Sequence, residues 1–277
     1  MLKLAVVGSL LTTLVAAALL VATIMFSEGT SFTQRGWRSR FFGGGGGYAP
    51  SDIEYENMPY NGKFTFNRVR FNPSRWGWGP YMWGLDLGWN HDYPRAEKHF
   101  MEMLRSLTTI EPNMGGGNIY SLDDPEIFKY PWAYICEVGY WTVNETEAKN
   151  LRNYLLKGGF LVVDDLRGYA INVFYEQIQK ALPGAELVIL DTTNPAFNNF
   201  FEITKSDILN QAYTYGMPVT YGIYEDNDPS KRLMVVINYN QDIGESWEWS
   251  DEEYVPIELS NNAYKLGINY VIYGMTH

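Results

Sequence analysis

The stretch "LLKGGFLVVDD" (residues 155–165) limits the possible folds more than any other part of the chain. A helical segment runs up to Lys157 and meets Gly158-Gly159, where glycine's freedom at positive φ ends helices. "FLVVDD" (160–165) follows at once. Its unbroken apolar run suits a strand covered on both faces, as strands of parallel sheets are. The helix also has a start signal. "TVNE" (142–145) has the form of a capping box, with Thr142 as N-cap and Glu145 at the third helical position.

The same rhythm extends in both directions. "YPWAYICEVG" (130–139) reads as a buried strand, and "NVFYEQIQKAL" (172–182) as a helix closed by Pro183-Gly184. "ELVIL" (186–190) and "RLMVVINYN" (232–240) are further strands, and "NNAYKLGINYVIYGM" (261–275) is an apolar final helix. Upstream, "KFTFNRVRF" (63–71) alternates as a half-buried strand does. After Pro94, the residues Ala96, Phe100, Met103, Leu104 and Leu107 form one apolar helical stripe, opposite Arg95, Lys98, His99, Glu102 and Arg105. Strands alternating with helices predict an α/β domain with a mainly parallel sheet and right-handed crossovers.

Two segments precede this domain. Residues 4–25 carry no charge, with Lys3 before them and Glu28 after. At a rise of about 1.5 Å per residue they can cross a bilayer core of roughly 30 Å. The run is long for a cleaved signal, although Ser27-Glu28-Gly29 offers a small-x-small cleavage site. Residues 1–26 are therefore expected to be a membrane anchor or a signal peptide. Membrane contact through residues 4–25 places the rest of the chain in the cell envelope, periplasmic or extracellular. Residues 27–62 contain "FFGGGGGYAP" (41–50) and read as a flexible tether. The glycine run lacks the Gly-Lys-Ser/Thr ending of a phosphate loop. Residues 63–277 form the folded domain.

Charge and cysteine content exclude some functions. With 21 basic against 32 acidic residues, the net charge is −11, which argues against nucleic-acid binding. The single cysteine, Cys136, rules out an internal disulfide. Aromatic residues make up 16% of the chain, and many crowd a Trp-rich loop at 75–89. Tyr and Trp suit interfaces and sugar-like ligands, so that loop is the expected contact for a protein partner.

At this point a resemblance emerges. "WNHDYPRAEKHF", "DDPEIFKYPWAYI", "LRNYLLKGGFLVVDD" and "LGINYVIYGMTH" resemble, in the same order, the bacterial domain of unknown function 4159, over about residues 63–277. The resemblance implies a class I glutamine amidotransferase-like fold, related to trehalose-utilisation-type domains: a flavodoxin-like three-layer sandwich. It implies no activity, because fold is not function. Amidotransferases of this class carry a Cys nucleophile on a strained strand-to-helix turn. The comparable strand here, "GGFLVVDD", ends in Asp164-Asp165, and no Gly-x-Cys-x-Gly is present. Cys136 ends a different strand and reads as packing.

Ligands of open parallel sheets gather at the carboxyl ends of the strands. Three groups fall there: Asp164 with Asp165; "NYNQD" (238–242), with Asn240 and Asp242; and Cys136 with Glu137. "WNHDYPR" (89–95), with Trp89, His91 and Arg95, is placed to close over the same edge. Asp164 and Asp165, joined by Asp92 or Asp242, suit a divalent metal such as Mg²⁺ or Ca²⁺. Equally, one carboxylate suits an acid and its neighbour a base. In a purely structural alternative they cap the next segment and pair with Arg95 or Arg167. No other cofactor is indicated. His91, in a loop, is the histidine placed for acid–base work, whereas His99 lies on a polar helix face. Asp92 and Pro94 also fit a helix start. "ESWEWSDEEY" (245–254) suits a metal or sugar site by its five carboxylates and two Trp, but reads first as a solvated acidic loop with Trp247 or Trp249 against the core. The leading functional expectation is a non-catalytic binding or assembly module of the envelope. The alternative is a hydrolase or isomerase-like enzyme that uses the carboxylates, with or without a metal, on a small polar or carbohydrate substrate.

Overall fold

The computed structural model describes residues 56–72, 88–205, 207–208 and 216–277, all within the unit Ala49–His277. The elements are β1 (Asn67–Arg70), α1 (Arg95–Leu107), β2 (Asn118–Ser121), β3 (Trp132–Cys136), α2 (Glu145–Leu156) and β4 (Phe160–Leu166). They continue with α3 (Ala170–Ala181), β5 (Val188–Ile189), β6 (Val219–Tyr224), β7 (Leu233–Tyr239), α4 (Ile243–Glu248) and α5 (Ile257–Thr276). The strands form one seven-stranded sheet in the order β2-β1-β3-β4-β7-β6-β5. β2, β1, β3, β4 and β7 are parallel, β6 runs antiparallel to β7, and β5 antiparallel to β6. The expected α/β class with a mainly parallel sheet is therefore present.

A core lies on each face of the sheet. Along β4, Leu161 and Val163 face one side, with Leu151 and Leu155 of α2 and Phe174 and Ile178 of α3. Phe160 and Val162 face the other, with α1, α4 and α5. This is the period-two alternation of a strand with both sides buried. The second core is mostly aromatic. Phe66, Phe100, Trp132, Tyr134 and Trp247 interlock, with Phe100 and Trp247 centroids 4.6 Å apart and Phe66 and Trp132 4.9 Å apart. Burying each such ring contributes several kcal/mol at about 25 cal/mol per Å².

Several local expectations need correction. "KFTFNRVRF" is not half-buried: Thr65, Asn67 and Arg68 lie inside with the apolar residues. The reason is the position of β1, between β2 and β3 with both faces covered. The capping box sits two residues later than read. Asn144 Oδ1 accepts from the Glu147 N–H at 3.0 Å, and Glu147 Oε2 accepts from the Asn144 N–H at 2.9 Å. Two overlapping boxes share this stretch, and Thr142 instead donates its hydroxyl to the Asn72 carbonyl. In α1, Glu97 and Met101 are buried, while Leu107 is exposed. The supposed acidic loop begins as α4, whose residues 243–247 are buried. β2 and β6 were not read from the sequence, and the strand "ELVIL" shrinks to two residues at the sheet edge.

The C-terminal end of the expected tether docks on β2: Asn57 exchanges two 2.8 Å hydrogen bonds with the Ile119 backbone. Among the described residues no helix is long and apolar enough to cross a membrane. Residues 4–25 lie outside the described residues, as do Trp76, Trp78 and Trp83.

Candidate functional site

β1 is flanked by β2 on one side and β3 on the other, so the chain changes winding direction at β1. Such switch points open a crevice at the carboxyl edge. The loop 88–94 is fixed over this crevice by Arg68. Its side chain is 1% exposed, and its Nε donates to Glu97 Oε1 at 2.5 Å. Its Nη1 donates to the carbonyls of Trp89 and His91, each at 3.0 Å, and contacts Cys136 Sγ. Burial opposes the guanidinium charge, but Glu97 and its neighbours keep Arg68 protonated.

Backbone geometry brings side chains to this edge. Asp92, Glu137, Asp165 and Asn240 have φ of 65°, 51°, 46° and 54°. Non-glycine residues in this region are strained by about 1 kcal/mol or more each. Three of the four follow or end strands β3, β4 and β7, and the fourth lies in the loop above them. The result is a cluster around His91. Its Nδ1 lies 3.3 Å from Asp165 Oδ2, 3.6 Å from Asp92 Oδ1 and 3.8 Å from Glu137 Oε1.

The charges of this cluster are strongly coupled. Asp92 above all, then Asp165 and Glu137, raise the His91 imidazole well above its usual range, against the opposing effect of burial. Asp165 is buried, which favours its neutral form, yet the His91 hydrogen bond and the Arg167 guanidinium hold it below the usual carboxylate range. Asp92 moves the other way: burial raises it well above normal, and Glu245, Glu248 and Asp165 add to the effect that His91 offsets. Asp242 is raised by burial and by Asp165. Its Oδ1 accepts the Glu245 N–H at 2.8 Å and so caps α4, while Oδ2 lies 3.6 Å from Arg167 Nη2.

The structure thus gathers His91, Asp92 and Asp165, with Asp242 joined through Arg167. It separates the other expected residues. Asp164 accepts from Tyr134 Oη, Asn238 Nδ2 and the Gly244 N–H at 2.9, 3.0 and 2.9 Å. Burial pushes its carboxyl up to about 6 despite these donors. Trp89 has its side chain in the core, and only its carbonyl reaches the site. Arg95 pairs with Asp251 at 2.5 Å and Glu252 at 2.7 Å and lies over the Trp249 ring. Asn240 donates its Nδ2 to the Met217 carbonyl at 3.1 Å, while its buried Oδ1 has no hydrogen-bond partner. Cys136 is fully buried, with its Sγ 3.4 Å from the Gly88 carbonyl, and burial pushes its thiol well up. The helix does begin after Pro94, but Asp92 caps it only through its backbone carbonyl, which accepts from the Ala96 N–H. His99 is not simply solvated: its Nδ1 lies 2.9 Å from the Trp247 carbonyl, tying α1 to α4.

Sequence reasoning missed Arg68 and Glu97, and it weighed Glu245 only within an acidic segment read as solvated. The helix carried a signal, a charged residue at 97 on the apolar side of α1, whereas Arg68 sits among the polar residues of β1 and carried none. The metal set of Asp164, Asp165 and Asp242 does not assemble. Two other sets do, each with ligand atoms within 4.8 Å of one another: His91, Glu137 and Asp165; and His91, Asp92 and Glu245. No backbone, amide or hydroxyl donor reaches either Asp92 oxygen, which instead meets the Glu248 carboxyl, and Asp165 Oδ2 faces His91 Nδ1. Imidazole and carboxylate donors at this spacing fit a divalent cation.

Residues 68–275 match the model of a family described as Domain of unknown function (DUF4159). No curated protein matches the chain.

Proposed function

The chain belongs to the DUF4159 family, and on that premise we propose a cell-envelope module that binds or assembles rather than catalyses. Its frame is read as flavodoxin-like and amidotransferase-like, without the cysteine nucleophile. The observation that carries this reading is Cys136: fully buried, held against backbone carbonyls, and with its thiol form favoured. A nucleophile needs an accessible thiolate. The parallel strand order β2-β1-β3-β4-β7, with helices on both faces, supports the flavodoxin-like frame. The uncharged run 4–25 supports tethering at a membrane, with the domain periplasmic or extracellular. The Trp-rich loop 75–89 supplies a contact for a protein partner, and the net charge of −11 argues against nucleic acid.

Two measurements on the full chain test this reading. Iodoacetamide is expected to label Cys136 only after denaturation. p-Nitrophenyl acetate, p-nitrophenyl phosphate and p-nitrophenyl glucoside are expected to show no turnover above background. Turnover that disappears in Asp165→Asn would overturn the reading.

One observation favours a second reading, a hydrolase or isomerase-like enzyme for a small polar or carbohydrate substrate. Asp165 and Asp92 flank His91 with their proton affinities driven apart, the arrangement that separates an acid from a base. In its hydrolase form this reading requires turnover on the same panel and its loss in His91→Gln.

A further inference from the structure

We propose that Asp92, Glu245 and the Nδ1 of His91 hold a divalent transition-metal ion of the Zn²⁺ or Mn²⁺ class, with Glu248 at the rim. This rests on reading the carboxyl edge as a binding site, and it names the ligand there.

The first support is the convergence of three donor atoms within 4.8 Å. The second is independent of it. The Asp92 side chain is 0% exposed, no backbone, amide or hydroxyl donor reaches either oxygen, and the group that meets it at hydrogen-bond range is another acid, Glu248. A carboxylate buried in that state is destabilising by several kcal/mol unless a cation or a proton joins it. The surroundings supply carboxylates: Glu245, Glu248 and Asp165 all act on Asp92. Arg95, the nearest arginine in α1, is engaged by Asp251 and Glu252.

Gly244 permits the approach. A Cβ at that position would lie 2.6 Å from Asp92 Oδ2 and 2.6 Å from Tyr134 Oη. A side chain there would force Asp92 or Tyr134 to shift, so glycine leaves the start of α4 close to Asp92. Access comes from the rim, where His91 is 15% exposed and Glu248 is half-buried.

The alternative set of His91, Glu137 and Asp165 is already balanced. Asp165 Oδ1 accepts from Arg167, whose guanidinium offsets that carboxylate. The choice of metal follows from the donors. An imidazole nitrogen among carboxylates suits Zn²⁺ or Mn²⁺ better than Mg²⁺ or Ca²⁺, which prefer oxygen alone. Ligand atoms on an ion with bonds of about 2.0–2.2 Å stand roughly 3–3.5 Å apart. His91 Nδ1 and Asp92 Oδ1, 3.6 Å apart, nearly meet that spacing, and ligation draws Glu245 inward.

The test is isothermal titration calorimetry of the metal-free full chain with Zn²⁺ and Mn²⁺, beside Mg²⁺ and Ca²⁺. One saturable site for Zn²⁺ or Mn²⁺ is expected, weakened at least about tenfold in each of Asp92→Asn, Glu245→Gln and His91→Gln. The ion is expected to raise the melting temperature of the wild type and to leave that of the variants unchanged. The melts of the variants also report their folding. Absence of saturable binding overturns the proposal, as does tight binding retained in Asp92→Asn. Loss in Glu137→Gln with retention in Glu245→Gln overturns the placement. A carboxylic-acid C=O stretch that is lost in Asp92→Asn but persists in wild type at saturating Zn²⁺ means that a proton shared with Glu248 takes the ion's place, which also overturns it. A failed titration has no bearing on Cys136 alkylation or on turnover, so the two readings fail separately.

Discussion

Two buried charge clusters lie close together at the carboxyl edge, and they differ in one respect. Arg68 and Glu97 face each other at 2.5 Å with side chains 1% and 0% exposed. Asp92 is as deeply buried, but its nearest cation is a histidine at 3.6 Å whose Nδ1 is shared with Asp165 and Glu137. The first cluster is matched in charge and holds the loop 88–94, although Arg68 Nη2 and Glu97 Oε2 find no hydrogen-bond partner. The second is short of positive charge. The contrast teaches that burial of an acid does not by itself mark function. Arg68 and Glu97 are buried for structure, whereas Asp92 is buried with an unmet demand for a cation or a proton.

The largest expected effect breaks the matched pair. Arg68→Met leaves Glu97 buried without its partner and is expected to lower stability by about 3–5 kcal/mol in urea denaturation. Adding Glu97→Met is expected to recover most of that loss. A double variant no more stable than the single would erase the distinction between the clusters.

Next comes Gly244→Ala, whose methyl group meets Asp92 Oδ2 and Tyr134 Oη. A loss of about 1–3 kcal/mol is expected from overpacking, again by urea denaturation. No loss would mean that the approach of α4 to Asp92 is looser than described.

A smaller effect appears in the pH dependence of stability. Asp164 is held up to about 6, above its unfolded value near 3.8, by burial. The folded state therefore binds the proton more tightly. The stability from this group is complete below about pH 4 and is lost as pH rises through about 6. Urea midpoints are expected to fall between pH 4 and 7 by more in the wild type than in Asp164→Asn. Equal slopes would place the titration elsewhere.

The smallest effect distinguishes the clusters most sharply. In metal-free protein, Asp92→Asn is expected to change stability by less than about 1 kcal/mol, or to raise it, because it removes an unbalanced buried acid. A loss comparable to that of Arg68→Met would show that Asp92 already has a structural partner.

Much of the fold was legible. The segment "LLKGGFLVVDD" foretold α2, a stop at Gly158, and a strand buried on both sides, and the structure has all three. The lateral order of the strands was not legible, and neither were β2 and β6. Their four and six residues carry Asn, Ser, Thr, Tyr and Gly among few aliphatic residues. At the site, the carboxyl-edge rule pointed to Asp165 and His91. It did not separate Asp165 from Asp164, adjacent in sequence. Asp164 takes three hydrogen bonds from Tyr134, Asn238 and Gly244, and Asp165, at positive φ, reaches His91 and Arg167.

By itself the sequence determined the α/β class, the existence and approximate course of the main helices and the edge where polar residues collect. Those features depend on periodicity, caps and turns, which act over a few residues. Only the tertiary structure decided which acids meet. Glu245 comes from α4, Asp92 from a loop more than a hundred residues earlier, and Arg68 from β1 anchors that loop. Which charges are balanced depends on distances between these elements, and no local pattern in the chain encodes them.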